Sequence, residues 1–161
     1  LIDLGLEAFL ITATIEGVVA QRLVKKNCTS CKTPYDPTEQ ELMELALTPQ
    51  DIEGRQLFRA KGCNKCNNSG YRGRTGLFEI MILDDTMREM IMDNASTQLL
   101  QSEGRKRGMR TMRESGLLTM YDGTTTLDEV VREKNKLQML RDEYKKKKQE
   151  FQNMQSGGGR D

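Results

Sequence analysis

Between Ile11 and Lys26 the apolar positions Ile15, Val18, Val19, Leu23 and Val24 recur at three- and four-residue steps, and Lys25 and Lys26 follow where cations suit a helix C-terminus. This spacing predicts a helix over roughly Thr12 to Lys26. The opening of the chain, through Lys26, is its most apolar region, but Asp3, Glu7 and Glu16 interrupt it. A membrane span there would bury three carboxylates, each at a cost of about 2.5–3.5 kcal/mol, so the segment reads as a buried or half-buried element. Further on, "PYDPTEQELMELAL" carries a helix start, with Thr38 as N-cap and Glu41 three residues later, the pattern of a capping box. A helix over Glu39–Leu47 follows. "TPQD" repeats the signal, with Pro49 at a first-turn position.

From Arg55 to Gly76 the chain is basic and rich in glycine, a composition of loops and short strands, and "RTGLFEIMIL" then reads as a buried strand. Short amphipathic helices come next. Asp84 or Asp85 can cap the first, Ser96 the second and Thr111 the third, while Thr126 with Glu129 offers another capping box. Glycines 104, 108, 116 and 123 keep these helices short. Methionines gather at 81–92 and 109–120, where helical spacing assigns them to core filling. Beyond Arg132, Leu137, Leu140, Tyr144, Phe151 and Met154 alternate at three and four residues, with Lys147 in the remaining seam position. That is fewer than three heptads with a charged break, which predicts a solvated helix and a candidate docking face for a partner helix. The terminal SGGGRD is expected to be disordered.

At 161 residues the chain suits one ordinary domain, or a small domain with extensions. A net charge of +1 argues for neither nucleic acid nor an anionic membrane. No secretory signal is visible, and the start at Leu1, inside an apolar pattern, leads us to expect a piece of a longer chain.

The only four cysteines form two pairs, Cys28/Cys31 and Cys63/Cys66, as C-x2-C, a gap of 31 residues and C-x2-C. Two cysteines at i and i+3 can bend round one ion, and two such halves close a tetrahedral zinc cage with sulfur at about 2.3 Å. The gap exceeds the usual 15–20 residues or so, so a helix or two must be inserted between the halves. Redox pairs, disulfides and chance doublets are the alternatives. A thioredoxin-like pair wants a βαβ setting and one pair, and structural disulfides want an oxidising compartment. Structural zinc is the preferred reading. Four thiolates leave no open coordination position, and the chain has no histidine, so a catalytic ion is not expected. A zinc–tetrathiolate centre carries a formal charge of −2, which fits Lys25, Lys26, Lys32, Lys61, Lys65, Arg72 and Arg74 nearby in sequence, and no acid between Glu53 and Glu79. Gly62 and Gly70 would let the backbone turn and aim N–H groups at sulfur, with Gly73 and Gly76 releasing the chain into the strand.

The same basic run could bind nucleic acid, but Tyr71 and Phe58 are its only aromatics, a thin stacking surface. No nucleic-acid partner is expected. Catalytic signals are scarce: there is no G-x-x-x-x-G-K-[ST] phosphate loop, and adjacent Asp84 and Asp85 suit capping better than acid/base work. No catalytic residue is assigned.

Read together, "EGVVAQRLVKKNCTSCK", "FRAKGCNKCNNSGYRGRTGLFEIM", "MREMI", "GMRTMRESGL" and "GTTTLDEVVRE" resemble, in order and spacing, the C-terminal part of the type II secretion / type IV pilus assembly ATPases over roughly residues 1–132. The resemblance implies a fold that is mainly α with a short β element, a helical C-terminal domain carrying an inserted tetracysteine zinc module after the end of a RecA-like α/β core. Residues 1–27 would end that core, its last helix running through Gln21 and Arg22. Residues 28–76 would form the zinc module with Cys28, Cys31, Cys63 and Cys66 as ligands, 77–132 the strand and helical domain, and 133–161 a basic helical extension and tail without family counterpart. Such proteins are cytoplasmic homo-hexamers, docked on an inner-membrane platform protein, that hydrolyse ATP with Mg2+. The motifs for that chemistry lie upstream of what is present, so this chain alone is not expected to bind or hydrolyse ATP. A stand-alone zinc-ribbon nucleic-acid module or an adaptor is the alternative.

Overall fold

A computed structural model describes Ile2 and residues 5–157, without the side chains of 152 and 154–157. The chain opens with α1 (Ala8–Thr14) and then a strand, β1 (Gly17–Asn27), which pairs antiparallel with β4 (Tyr71–Ile82) from Gly17↔Ile82 to Lys25↔Arg74. The register shifts between Lys25 and Asn27, and Asn27 pairs with Tyr71. A second antiparallel ladder joins β2 (Lys32–Tyr35) to β3 (Leu57–Ala60). Between β2 and β3 run α2 (Glu39–Glu44) and a 3-10 turn at Pro49–Ile52. The strands are thus nested, β2 and β3 lying inside β1 and β4, so the two ladders meet end to end at the segments 28–31 and 61–70.

The helix expected over Thr12 to Lys26 is therefore wrong beyond Thr14, and with it the helix through Gln21 and Arg22. Val18, Val19 and Val24 are β-branched and favour the extended chain. The helical spacing misleads because β1 is largely open on both faces, only Val24 and Asn27 being buried along it. "RTGLFEIMIL" is a strand as expected, but a half-buried one. Leu77 faces inward at 2% exposure, whereas Phe78, Ile80 and Ile82 are exposed at 43–65%. Beyond these long strands, roughly half of the chain is helical, so the β part is more than a short element.

The helices follow their capping chemistry. Thr38 and Glu41 form the expected box at α2, which ends at Glu44 rather than Leu47. Asp84 caps α3 (Asp85–Met92), Ser96 caps α4 (Thr97–Lys106), and Thr111 with Glu114 boxes α5 (Met112–Tyr121). α6 (Leu127–Gly157) starts at Thr126, whose hydroxyl accepts the Glu129 N–H at 3.2 Å. The Glu129 carboxylate completes no box, because it bonds elsewhere. The core gathers Leu42, Leu45, Leu47, Leu57, Leu117, Met120, Leu127, Val130 and Val131, tying the β2–β3 insertion to α5 and α6. Met87 and Met120 are buried as core fillers, while Met92 is 48% exposed. No helix among the described residues is long and apolar enough to cross a membrane. Of the SGGGRD terminus, residues 158–161 lie outside the described residues.

Candidate metal centre

Both cysteine pairs sit in tight turns where one ladder hands over to the other. After β1, the Cys28 carbonyl accepts the N–H groups of Cys31 (3.1 Å) and Lys32 (2.9 Å). After β3, the Cys63 carbonyl accepts those of Cys66 (3.1 Å) and Asn68 (2.9 Å) round a 3-10 turn at Asn64–Cys66. Asn67 and Asn68 then take left-handed conformations, and Gly70 follows with φ +77°. The halves are joined by the Cys28 N–H donating to the Gly70 carbonyl at 2.9 Å.

This nesting solves the long gap. The residues between the halves are folded back as a ladder, so positions 35 apart in sequence face each other. Cys28 and Cys63 Sγ are 3.9 Å apart, Cys31 and Cys66 3.8 Å, and Cys63 and Cys66 3.7 Å. All four sulfurs lie within 4.8 Å of one another. A disulfide needs about 2.05 Å, so these are four free thiols converging on one point. Cys28, Cys31 and Cys66 are buried and Cys63 is half-buried. The four residues expected as a cluster are thus brought together and could hold a metal ion.

The backbone is arranged for charged sulfur. Cys66 Sγ accepts the N–H groups of Cys63 (3.2 Å) and Gly70 (3.3 Å). Burial raises the Cys66 thiol pKa, but these donors outweigh it and hold the group at about 6. Burial, with neighbouring sulfurs adding to it, pushes Cys31 up to about 12 against the Gly62 N–H that opposes it. Four thiolates this close can coexist only round a cation. Two glycines make the approach possible: a Cβ on Gly70 would meet the Ala60 Cβ at 2.6 Å, and one on Gly62 the Asn68 carbonyl oxygen at 2.7 Å.

A set of contacts that sequence reasoning missed staples the cage to the helices. Asn27 donates its backbone N–H to the Thr124 carbonyl (2.7 Å) and its Nδ2 to that of Gly123 (3.1 Å), which also accepts from Lys32 Nζ (3.2 Å). The Thr125 hydroxyl donates to the Lys25 carbonyl at 2.8 Å, and Tyr71 and Thr126 share a hydroxyl bond at 3.0 Å. The buried Glu129 carboxylate accepts the Lys25 N–H (2.9 Å) and Arg132 (2.7 Å). The one sequence signal was the threonine run "GTTT". Both aromatics of the basic stretch are engaged: Tyr71 by Thr126 and Lys25, Phe58 beneath Lys32.

A sequence model of the family described as "Type II/IV secretion system protein" matches residues 1–132. The chain is 37% identical over 129 residues to the type IV pilus assembly ATPase PilB of Thermus thermophilus, covering 80% of this chain and 14% of that protein. It is 39% identical over 132 residues to PilB of Myxococcus xanthus (81% and 23%), and 40% identical over 132 residues to the type II secretion system protein E of Pseudomonas aeruginosa (82% and 26%). The chain thus spans about a quarter or less of the length of these relatives. On this match, the chain belongs to the type II/IV secretion system protein family.

Proposed function

We propose that residues 1–132 are the C-terminal, zinc-stiffened region of a hexameric ATPase that powers type II secretion or type IV pilus assembly, and that this region relays movement without doing chemistry. In this reading, residues 1–27 end a RecA-like core, 28–76 form the zinc module and 77–132 the helical domain. ATP and Mg2+ bind in the upstream part, and the motor works at the cytoplasmic face of an inner-membrane platform protein. The observation that carries the reading is the placement of the cage, at the joint between two ladders and stapled to the start of α6. Zinc at about 2.3 Å from each sulfur implies tetrahedron edges of about 3.8 Å, against the 3.7–3.9 Å measured for three of them. Cys28, Cys31, Cys63 and Cys66 would hold it, closing all four positions, and the ion would supply rigidity and charge neutralisation.

The other end of the β1–β4 ribbon supports attachment to a larger body. Val19, Leu23, Phe78, Ile80 and Ile82 share one face by register and are all exposed, as are Phe9 and Leu10 on α1. A contiguous apolar face of this kind suits a contact with upstream sequence. The test is a full-length protein carrying Cys28→Ser, Cys31→Ser, Cys63→Ser and Cys66→Ser together. ATP hydrolysis is expected to persist while pilus extension or secretion is lost. Transport at the unaltered rate would overturn the relay role, and metal-free unaltered protein would overturn the zinc assignment.

A further inference from the structure

α6 runs well past the family match at residue 132. Its first part is docked: Val130 and Val131 enter the core, and Leu137, Gln138 and Arg141 help line a groove of about 410 Å3 with Leu45, Leu77 and Glu79. Residues 142–157 continue the helix for about 24 Å beyond that groove. Gln138 bonds Asp142 (3.0 Å) and Lys147 pairs with Glu143 (3.0 Å) along the helix.

A seam runs from the docked part of α6 into this stretch. Leu137, Leu140, Tyr144, Lys147 and Phe151 follow one another at three and four residues, and Leu140, Tyr144 and Phe151 are 47%, 62% and 57% exposed. An apolar stripe confined to those positions is the narrow strip of a coiled-coil contact. Along one flank lie Lys134, whose Nζ donates to the Glu44 carbonyl, Arg141 at the edge of the groove, and Lys148, an all-basic row, and along the other Lys136, Glu143 and Glu150.

We propose that this seam docks an acidic amphipathic helix of another protein. The charges decide against the alternatives. A second copy running parallel would set Lys147 against Lys147 in the core, and an antiparallel copy would set the basic row against itself. A membrane surface is matched by a wide apolar face bordered by cations, whereas this strip is narrow, contains a lysine and has Glu143 and Glu150 beside it. A heterologous helix with apolar residues at matching steps, a carboxylate facing Lys147 and carboxylates along the Arg141 side satisfies the core and the basic flank, and uncharged residues facing Glu143 and Glu150 avoid repulsion there. The proposal stands apart from the motor reading, because the family match stops before the seam begins.

The test titrates the full chain into a labelled synthetic helix of about three heptads, with leucine or isoleucine in the core positions, glutamate on the flank that meets the Arg141 row, glutamine on the flank that meets Glu143 and Glu150, and one glutamate facing Lys147. Fluorescence anisotropy should report saturable binding that weakens with salt, and circular dichroism an accompanying gain in helix. The double variant Tyr144→Ser, Phe151→Ser should bind about tenfold or more weakly, with its metal content and core exchange unchanged. A peptide with lysine replacing every glutamate should fail to bind. Equal binding of the lysine peptide, no binding of the acidic one, self-association in sedimentation equilibrium that the double variant abolishes, or transfer of the chain onto phosphatidylglycerol vesicles would each overturn the proposal.

Discussion

In the zinc reading, stripping the metal from the cage should open the cage and leave the helical core closed. The two clusters of buried side chains have different chemistry. The cage consists of Cys28, Cys31 and Cys66 with Cys63 packed against them, and no aliphatic residue joins it. The other cluster holds nine aliphatic or methionine side chains drawn from the β2–β3 insertion, α5 and α6. At about 1.5–3 kcal/mol each, their burial amounts to something on the order of 20 kcal/mol before chain entropy is charged against it. None of that gain depends on the ion, whereas the knuckles depend on little else.

The expected magnitude follows from linkage. With free metal held at 100 to 1,000 times its dissociation constant, the bound state gains about 2.7–4.1 kcal/mol. Any opening that must first release the ion is suppressed by the same factor. The amides of Cys31, Lys32, Cys66, Asn68 and Gly70 are bonded within the knuckles. Their hydrogen exchange should accelerate by roughly 100- to 1,000-fold on strong chelation. Amides of Leu42, Leu117 and Leu127 should change by only a few-fold. Mass-spectrometric exchange on the intact chain, with and without chelator and with metal content measured alongside, reads both regions at once. Simultaneous loss of protection in both would mean that the cage is the keystone of the whole fold and would refute the separation argued here. Unchanged knuckles would mean that no ion holds them.

Four smaller perturbations check particular parts. Gly70→Ala must place a Cβ 2.6 Å from that of Ala60 at φ +77°, so we expect a loss of about 1–3 kcal/mol in urea unfolding and a weaker hold on metal. Thr111→Ala removes the N-cap of α5 and should cost about 1 kcal/mol, seen as a lowered Tm. The N–H of Thr38, at 2.7 Å, and then its hydroxyl and Arg59 hold the Glu41 carboxyl below its ordinary 4.5. That contribution is complete above the ordinary carboxylate range and is lost as pH falls through the lowered value, so the gap in Tm between the chain and Glu41→Gln should be present at neutral pH and close in acid. Asn27→Ala removes the Nδ2 donor to the Gly123 carbonyl while keeping the backbone bond to Thr124, and should raise exchange in 123–129 with the metal still bound; unchanged exchange there would deny that side chain any part in ordering the start of α6.

The helix starts and the cysteines were legible in the sequence because their signals are local. Thr38 with Glu41, Ser96, and Thr111 each satisfy N–H groups within three residues, so composition alone places them. The cage was legible because two i, i+3 pairs in a chain with no other cysteine limit the chemistry. β1 was not, since its partner β4 lies some fifty residues on and neither strand buries a full face. "RTGLFEIMIL" looked buried because Leu77, Phe78, Ile80, Met81, Ile82 and Leu83 crowd it, yet Phe78, Ile80 and Ile82 are exposed. The staple was invisible for a related reason. Lys25 meets Thr125 and Glu129, and Asn27 meets Thr124, across about a hundred residues, through backbone groups that no side-chain pattern announces.

The staple gives the cage a mechanical consequence in the motor reading. Glu129 is a buried carboxylate, and a buried charge parted from its donors costs several kcal/mol. The backbone N–H of Lys25 is one of those donors, and Lys25 is the last residue before the register shift that leads into Cys28. A displacement of the ribbon therefore either carries α6 with it or strips Glu129 of a partner. Flexing at the joint would dissipate that displacement if the two ladders could hinge where they meet. Four sulfurs on one ion would remove that freedom, because each ladder contributes an entry or exit strand to both cysteine turns. Rigidity at the joint and a costly separation at Glu129 are together what would make pushing the exposed apolar end of the ribbon equivalent to steering α6.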